Sequence, residues 1–93
     1  MDSISLYQAI SEMKRLTEGK QSFSFIHATY NRETRSTDGI RNVKNARLRS
    51  KTTNEEIVYS DHKLFYYDID QQLPRNCWQP LIMFFNGKKV ILT

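Results

Sequence analysis

Four features of this 93-residue chain have the residue types for acid, base, nucleophile or metal chemistry: His27, the run Ser60-Asp61-His62, the pair Asp68 and Asp70, and Cys77. A histidine is a general base when a substrate proton lies within its reach. His27, however, falls inside FSFIHATY, an alternating aromatic-rich stretch where a lone histidine reads as a core residue. Ser60-Asp61-His62 has the composition of a hydrolytic triad, but adjacent residues of an extended chain point to opposite faces and cannot line up as nucleophile, base and orienting acid. Asp68 and Asp70 share a face if 67–71 is extended, and paired carboxylates hold a divalent metal or do acid–base work. They lack the glycine and distal glutamate of a calcium loop. Turn-forming aspartates that neutralise a cation on a neighbouring strand are the simpler reading. Cys77 has no second cysteine and no histidine at metal-ligand spacing, so it reads as a small buried thiol. The glycines, Gly19, Gly39 and Gly87, each fit a cap or a turn, which leaves no phosphate-cradling loop. The expectation is a protein without catalytic residues, metal or small-molecule cofactor, and not an enzyme.

Charge is the remaining chemical signal. Seven of the fourteen Lys and Arg lie between Arg32 and Lys51, against Glu33 and Asp38 alone, so the net charge of +4 originates in this segment. Read as a strand, RNVKNARLRSK places Arg41, Arg47, Arg49 and Lys51 on one face with Val43 and Asn45. Ile40, Ala46 and Leu48 then turn inward. Lys44 falls on the apolar face, which calls for a bulge near Val43–Asn45. Residues two apart on a strand are roughly 6.5–7 Å apart, comparable with phosphate spacing along a nucleic-acid strand. With Arg32 and Arg35 on the adjoining strand, and Tyr30, Tyr66 or Tyr67 for base stacking, the strip has the parts of a nucleic-acid-binding surface. The competing reading is the solvated face of a strand, its cations answered by Glu55, Glu56, Asp68 and Asp70.

The elements that would position these groups are legible in outline. The first eighteen residues carry Leu6, Ile10, Met13 and, one step off register, Leu16 at helical spacing. Ser5 and Gln8 fit a capping box, Ile4 is placed to staple onto Ala9, and Gly19 is the expected left-handed stop. From Ser22 the period becomes two. Ser36-Thr37-Asp38-Gly39 reads as a turn, with a second strand from Ile40 to Ser50. Residues 55–63 fit a short strand or a helical turn, Leu64–Tyr67 a strand, and 68–77 a loop holding Pro74. Asn86-Gly87 marks a hairpin in which Phe85 faces Lys88 and Phe84 faces Lys89. The result is a single α+β domain over 1–93: an N-terminal amphipathic helix (1–19) packed on a small antiparallel sheet of four or five strands (22–93), or a small, partly closed barrel. The longest apolar run, Leu81–Phe85, is far short of the roughly 20 residues that span a bilayer. The N-terminus has no basic signal-peptide region, and the single cysteine favours a reducing, cytoplasmic setting.

The span Phe23–Leu92 resembles short uncharacterised proteins of prophage-like and mobile gene clusters in Bacteroides-type bacteria. The resemblance lies in Ser22–Tyr30, Asn45-Ala46-Arg47-Leu48-Arg49, Tyr67-Asp68, Cys77-Trp78-Gln79-Pro80-Leu81 and Asn86-Gly87-Lys88-Lys89-Val90. It implies a small accessory or assembly component and supplies no activity or site residue. The expected function is therefore a non-enzymatic interaction or assembly module whose partner is another protein or its own copy. The alternative is a nucleic-acid-binding module using 41–51. No membrane partner is expected.

Overall fold

The computed structural model describes residues 2–31, 36–50 and 62–92; side chains of 30, 31 and 36–38 are left out of the description. The chain opens as a strand, β1 (Ser3–Ser5), that pairs in parallel with the end of the last strand through Ile4 opposite Val90. Only then does helix α1 (Leu6–Glu18) begin, so the helix is shorter than the apolar spacing alone predicts. Ser-Ile-Ser buries its one β-branched residue against the sheet instead. The expected cap is in place: the Ser5 hydroxyl accepts the Gln8 amide at 3.1 Å. Ala9 and Met13 are fully buried, and Leu6, Ile10 and Leu16 pack beside the core. The stop differs from expectation. Gly19 stays at φ −81°, and Lys20 takes the left-handed turn at φ 59°. The Lys20 and Gln21 amides donate back to the Thr17 and Leu16 carbonyls, satisfying the helix end.

Strands β2 (Phe23–Asn31) and β3 (Ser36–Leu48) form the central hairpin. Ser36–Gly39 belongs to β3 and is not the expected turn; the connection falls at 32–35, outside the described residues. Two irregularities shape this pair. Near its start, Asp38 is an extra residue opposite Thr29–Tyr30, and Gly39 at φ 150° gives the backbone freedom that the bulge requires. Further on, Phe25 faces Val43 while Phe23 faces Ala46, so the bulge expected near Val43–Asn45 is present.

The segment read as a loop, 68–77, is mostly a strand. β4 (Lys63–Asp68) turns through 69–72 into β5 (Leu73–Trp78), where Pro74 is tolerated because the strand lies at the sheet edge. Asp68 accepts the Gln71 amide at 3.2 Å and Gln72 adopts φ 55°, which together make the turn. A 3₁₀ turn (Gln79–Leu81) leads to the hairpin of β6 (Ile82–Phe85) and β7 (Lys88–Ile91). Its register is the one Asn86-Gly87 predicts, Phe85 with Lys88 and Phe84 with Lys89. Asn86 also reaches β2: its side-chain oxygen accepts the Ser24 amide at 2.8 Å and its own amide donates to the Ser24 carbonyl.

The sheet thus has seven strands, not four or five, in the order β1-β7-β6-β2-β3-β4-β5, antiparallel except at β1-β7. The count rises because Ser3–Ser5 and Leu73–Trp78 join the sheet as its two edge strands. The sheet is not closed, yet it curls until β5 packs on β2, three places away in the order. The core lies inside the curl. Phe25 is at its centre, with the Tyr66 ring edge-on at 4.9 Å, His27 stacked at 5.3 Å and Phe23 at 5.7 Å. α1 covers one opening, held to β3 where the Leu48 amide donates to the Thr17 hydroxyl at 3.0 Å. No helix among the described residues is long and apolar enough to cross a membrane.

The two turn residues of the last hairpin contribute differently. At Gly87 (φ 83°) an added Cβ meets nothing within 4 Å, so Gly87→Ala costs only backbone strain, about 1 kcal/mol. Asn86→Ala adds loss of the bond to Ser24 and should cost about 2 kcal/mol. Urea denaturation of both variants checks the order; equal losses would contradict the second role of Asn86.

Candidate functional site: a cationic cleft inside the curl

The bulge at Lys44–Asn45 reverses the side-chain parity of β3, and with it the fate of the basic strip. Before the bulge, Arg41 pairs with the buried His27, and Val43 is 1% exposed, so both face inward. Ile40, expected inside, is 66% exposed. After the bulge Ala46 is buried, and Arg47 lies on the outer face with its guanidinium 4.7 Å from the Tyr67 ring centre. Arg41 and Arg47 therefore do not share a surface.

Arg49 follows Arg47 onto the outer face, over Phe65. Its guanidinium donates to the carbonyls of Tyr66 (2.9 Å), Arg75 (2.7 Å) and Ser50 (3.1 Å). It clamps β3, β4 and β5 together and has little left to offer a ligand. Lys44 is exposed at the bulge. Tyr66 has no exposed surface and belongs to the core, so it presents no stacking face. Arg32, Arg35, Lys51, Glu55, Glu56 and the Tyr30 side chain lie outside the described residues, as does 55–61.

The paired aspartates serve structure, in line with their reading as turn residues. Asp70 accepts both bonds from the Asn45 amide group at 3.1 Å, tying the β4–β5 turn to the bulge. Asp68, 5% exposed, approaches Arg75, with Nε 3.9 Å from Oδ2.

What the curl does assemble is an open cleft of about 370 Å³ where β4 and β5 fold over the ends of β2 and β3. Three cations line it: Arg41 from β3, Lys63 from β4 and Arg75 from β5. Ala28 and Thr29 of β2 and Pro74 and Trp78 of β5 also line it, with the buried Tyr66 and Cys77 at its floor. The Lys63 ammonium sits 5.0 Å from the Trp78 ring centre, and the Gln79 amide fixes the start of β4 by donating to the Lys63 carbonyl at 3.1 Å.

Behind the floor, the Tyr66 hydroxyl is bonded to the buried His27, which does not itself line the cleft. His27 Nδ1 lies 3.0 Å from the Ala28 carbonyl, which can only accept, so Nδ1 carries the proton. Nε2 then accepts the Tyr66 hydroxyl proton at 2.9 Å. Burial lowers the His27 pKa; the Ala28 bond opposes this, and the charges of Arg41 and Arg75 add to it. Burial, with Cys77 alongside, pushes the Tyr66 phenol up. Burial also pushes the Cys77 thiol up to about 12, far from a reactive thiolate.

Of the cleft's cations, sequence reading singles out Arg41 alone. Lys63, Arg75 and Trp78 carry no local signature. The nearest signal is Arg75-x-Cys77, a charged and a small residue on one face of a strand, but only the curl of the sheet gives that face something to look at.

His27 generates a pH prediction. Its folded-state pKa lies below the ordinary 6.5, so the unfolded chain takes up the proton first as pH falls. Stability from neutral His27 is complete above about pH 6.5. Below that it declines by at most one proton's worth, about 1.4 kcal/mol per pH unit. The stability gap between wild type and His27→Gln, measured by urea denaturation from pH 7.5 to about 5, should narrow as pH drops. A constant or widening gap would contradict it.

Compared with protein-family models, curated proteins and solved structures, the chain matches none, and the reading of its function therefore rests on the chemistry of the cleft.

Proposed function

We propose that this protein is a small interaction module without catalytic chemistry, and that it holds a partner protein by seating an anionic side chain of that partner in the cleft. The observation that carries this reading is that Arg41, Lys63 and Arg75 all line one concavity. Groups able to act as base or nucleophile there are withheld. His27 is buried with both ring nitrogens engaged, and Cys77 is a protonated thiol. A role as an accessory or assembly component of a prophage-like element is part of the proposal and rests on the sequence resemblance alone.

Magnitudes limit what the cleft does unaided. Two charge-assisted hydrogen bonds give roughly 3–6 kcal/mol, a Kd from several millimolar to tens of micromolar. The cleft selects and orients a partner, and the rest of the interface supplies tighter affinity. The nucleic-acid alternative has less support, since the described cations of the strip divide between two faces.

A glutamate-rich peptide, titrated while the emission of Trp78 (the chain's one tryptophan) is followed, tests the reading. Arg41→Gln with Arg75→Gln should weaken binding at least tenfold, and thermal melting must show that the variant still folds although the buried Asp68 loses its neighbouring cation. Lys44→Gln with Arg47→Gln should leave it nearly unchanged. Equal losses from both double variants would mean diffuse charge attraction and would remove the cleft from the account.

A further inference from the structure

We infer that the contact between His27 and Tyr66 is a pH-sensitive latch: a proton on His27 frees the β4–β5 hairpin to swing away from β2, which takes the cleft apart while the rest of the sheet stays folded. Release of whatever the cleft holds is a consequence that rests on the binding role proposed above; the opening itself does not. Placement is the first ground. His27 is 2% exposed, Tyr66 has no exposed surface, and their 2.9 Å bond joins β2 to β4 across the inside of the curl. With the Nδ1 proton given to the Ala28 carbonyl, Nε2 has to stay bare to accept the Tyr66 proton. A second proton on the ring makes both nitrogens donors. Tyr66 must then turn its hydroxyl proton elsewhere, and a full charge lies buried against the Phe25 ring, 5.3 Å away.

The second ground is the set of groups around the ring. β3 places Arg41 opposite His27, and β6 places the apolar Ile82 there. β5 brings Arg75 and the protonated thiol of Cys77. β4 contributes Tyr66 itself and the buried Asp68, whose carboxylate lies beside Arg75. Burial acts against an imidazolium here, and the charges of Arg41 and Arg75 add to it. Lifting the hairpin carries Arg75 away and admits water. The open state therefore takes up the proton more readily than the closed one, and acid favours opening. Below about pH 6.5 the opening constant rises by up to about tenfold per pH unit.

The third ground is that the opposite side of the sheet supplies a hinge. There the Arg49 amide donates to the Phe65 carbonyl, and its guanidinium to the carbonyls of Tyr66 and Arg75. These bonds hold β4 and β5 to the end of β3 from outside the curl and do not depend on His27. β5 is paired with β4 from Leu73 to Trp78, so the two strands move as one hairpin. β6 pairs with β2 from the other side and keeps its own register with β7. A latch inside and a brace outside make opening of the curl the local response to a charge on His27.

Cys77, the chain's one cysteine, is 5% exposed on β5 and reports the opening. The full chain is reacted with dithiodipyridine, a disulfide that modifies thiols at mildly acidic pH, and the rate is divided by that of the urea-unfolded chain at the same pH. Between about pH 7.5 and about 5 this ratio should rise at least tenfold, with little dependence on low urea. In His27→Gln, which keeps a donor and an acceptor but does not titrate, it should stay flat. Amide exchange of the wild type gives a second reading should that variant not fold: β4 and β5 should lose protection with the midpoint of the His27 Cε1–H titration, while β2 and β6 stay protected. A ratio that does not change, or that rises equally in His27→Gln, overturns the latch. So does a rise that steepens with urea as whole-chain unfolding does, or loss of protection in β2 and β6 together with β4 and β5. No anion is added in these measurements, so their outcome is separate from that of the peptide titration.

Discussion

The contact between His27 and Tyr66 decides the shape of this molecule. His27 lies in the middle of β2 and Tyr66 in the middle of β4, on strands separated by β3. Their 2.9 Å hydrogen bond exists only because the sheet folds over on itself. Phe25 packs against both rings, so the polar contact sits inside an aromatic cluster with both of its partners satisfied. A buried imidazole or phenol without a partner would cost roughly 1–3 kcal/mol. Flattening the sheet would separate the pair and expose the aromatic cluster to water. The same curl that satisfies the pair brings β5 over β2 and makes the cleft.

The bulges decide which chemistry faces that cleft. A regular strand from Ile40 to Lys51 would place Arg41 outside with Arg47 and leave the concavity to Ile40. One extra residue at Lys44–Asn45 turns Arg41 and Val43 inward while keeping Ala46 in the core. Asn45 stabilises this local departure by binding Asp70 on one side and the Ser22 hydroxyl on the other. Arg49 then fastens the outer side of the fold to backbone carbonyls of β4 and β5. Cations adjacent in sequence thus have separate duties: Arg41 faces the cleft, Arg47 covers Tyr67, and Arg49 braces the sheet.

The parts legible in the sequence are those set by local chemistry. Ser5 and Gln8 announce the helix start, Asn86-Gly87 fixes the last hairpin, and the misfit of Lys44 in an apolar row gives away the bulge. The parts misread are those decided by distant partners. Ile4 becomes strand because β7 offers it an edge, and Asp38-Gly39 forms a bulge because Thr29 and Tyr30 lie across from it. Residues 73–78 hold Pro74 yet form a strand because the edge position forgives a missing amide. Of the residues lining the cleft, Arg41 belongs to a basic run visible in the sequence, whereas Lys63, Arg75 and Trp78 carry no local signature. No spacing along the chain encodes that β4 and β5 fold over β2.

The central claim is that Arg41 and Arg75 form one anion site from which Arg47 is excluded. It is tested most directly by following arginine side-chain Nε–H resonances by NMR as inorganic phosphate is added at constant ionic strength. The account predicts that the Arg41 and Arg75 signals move together along one saturating curve while Arg47 stays in place. Arg47 shifting in parallel with them, or Arg41 and Arg75 remaining still, would contradict it.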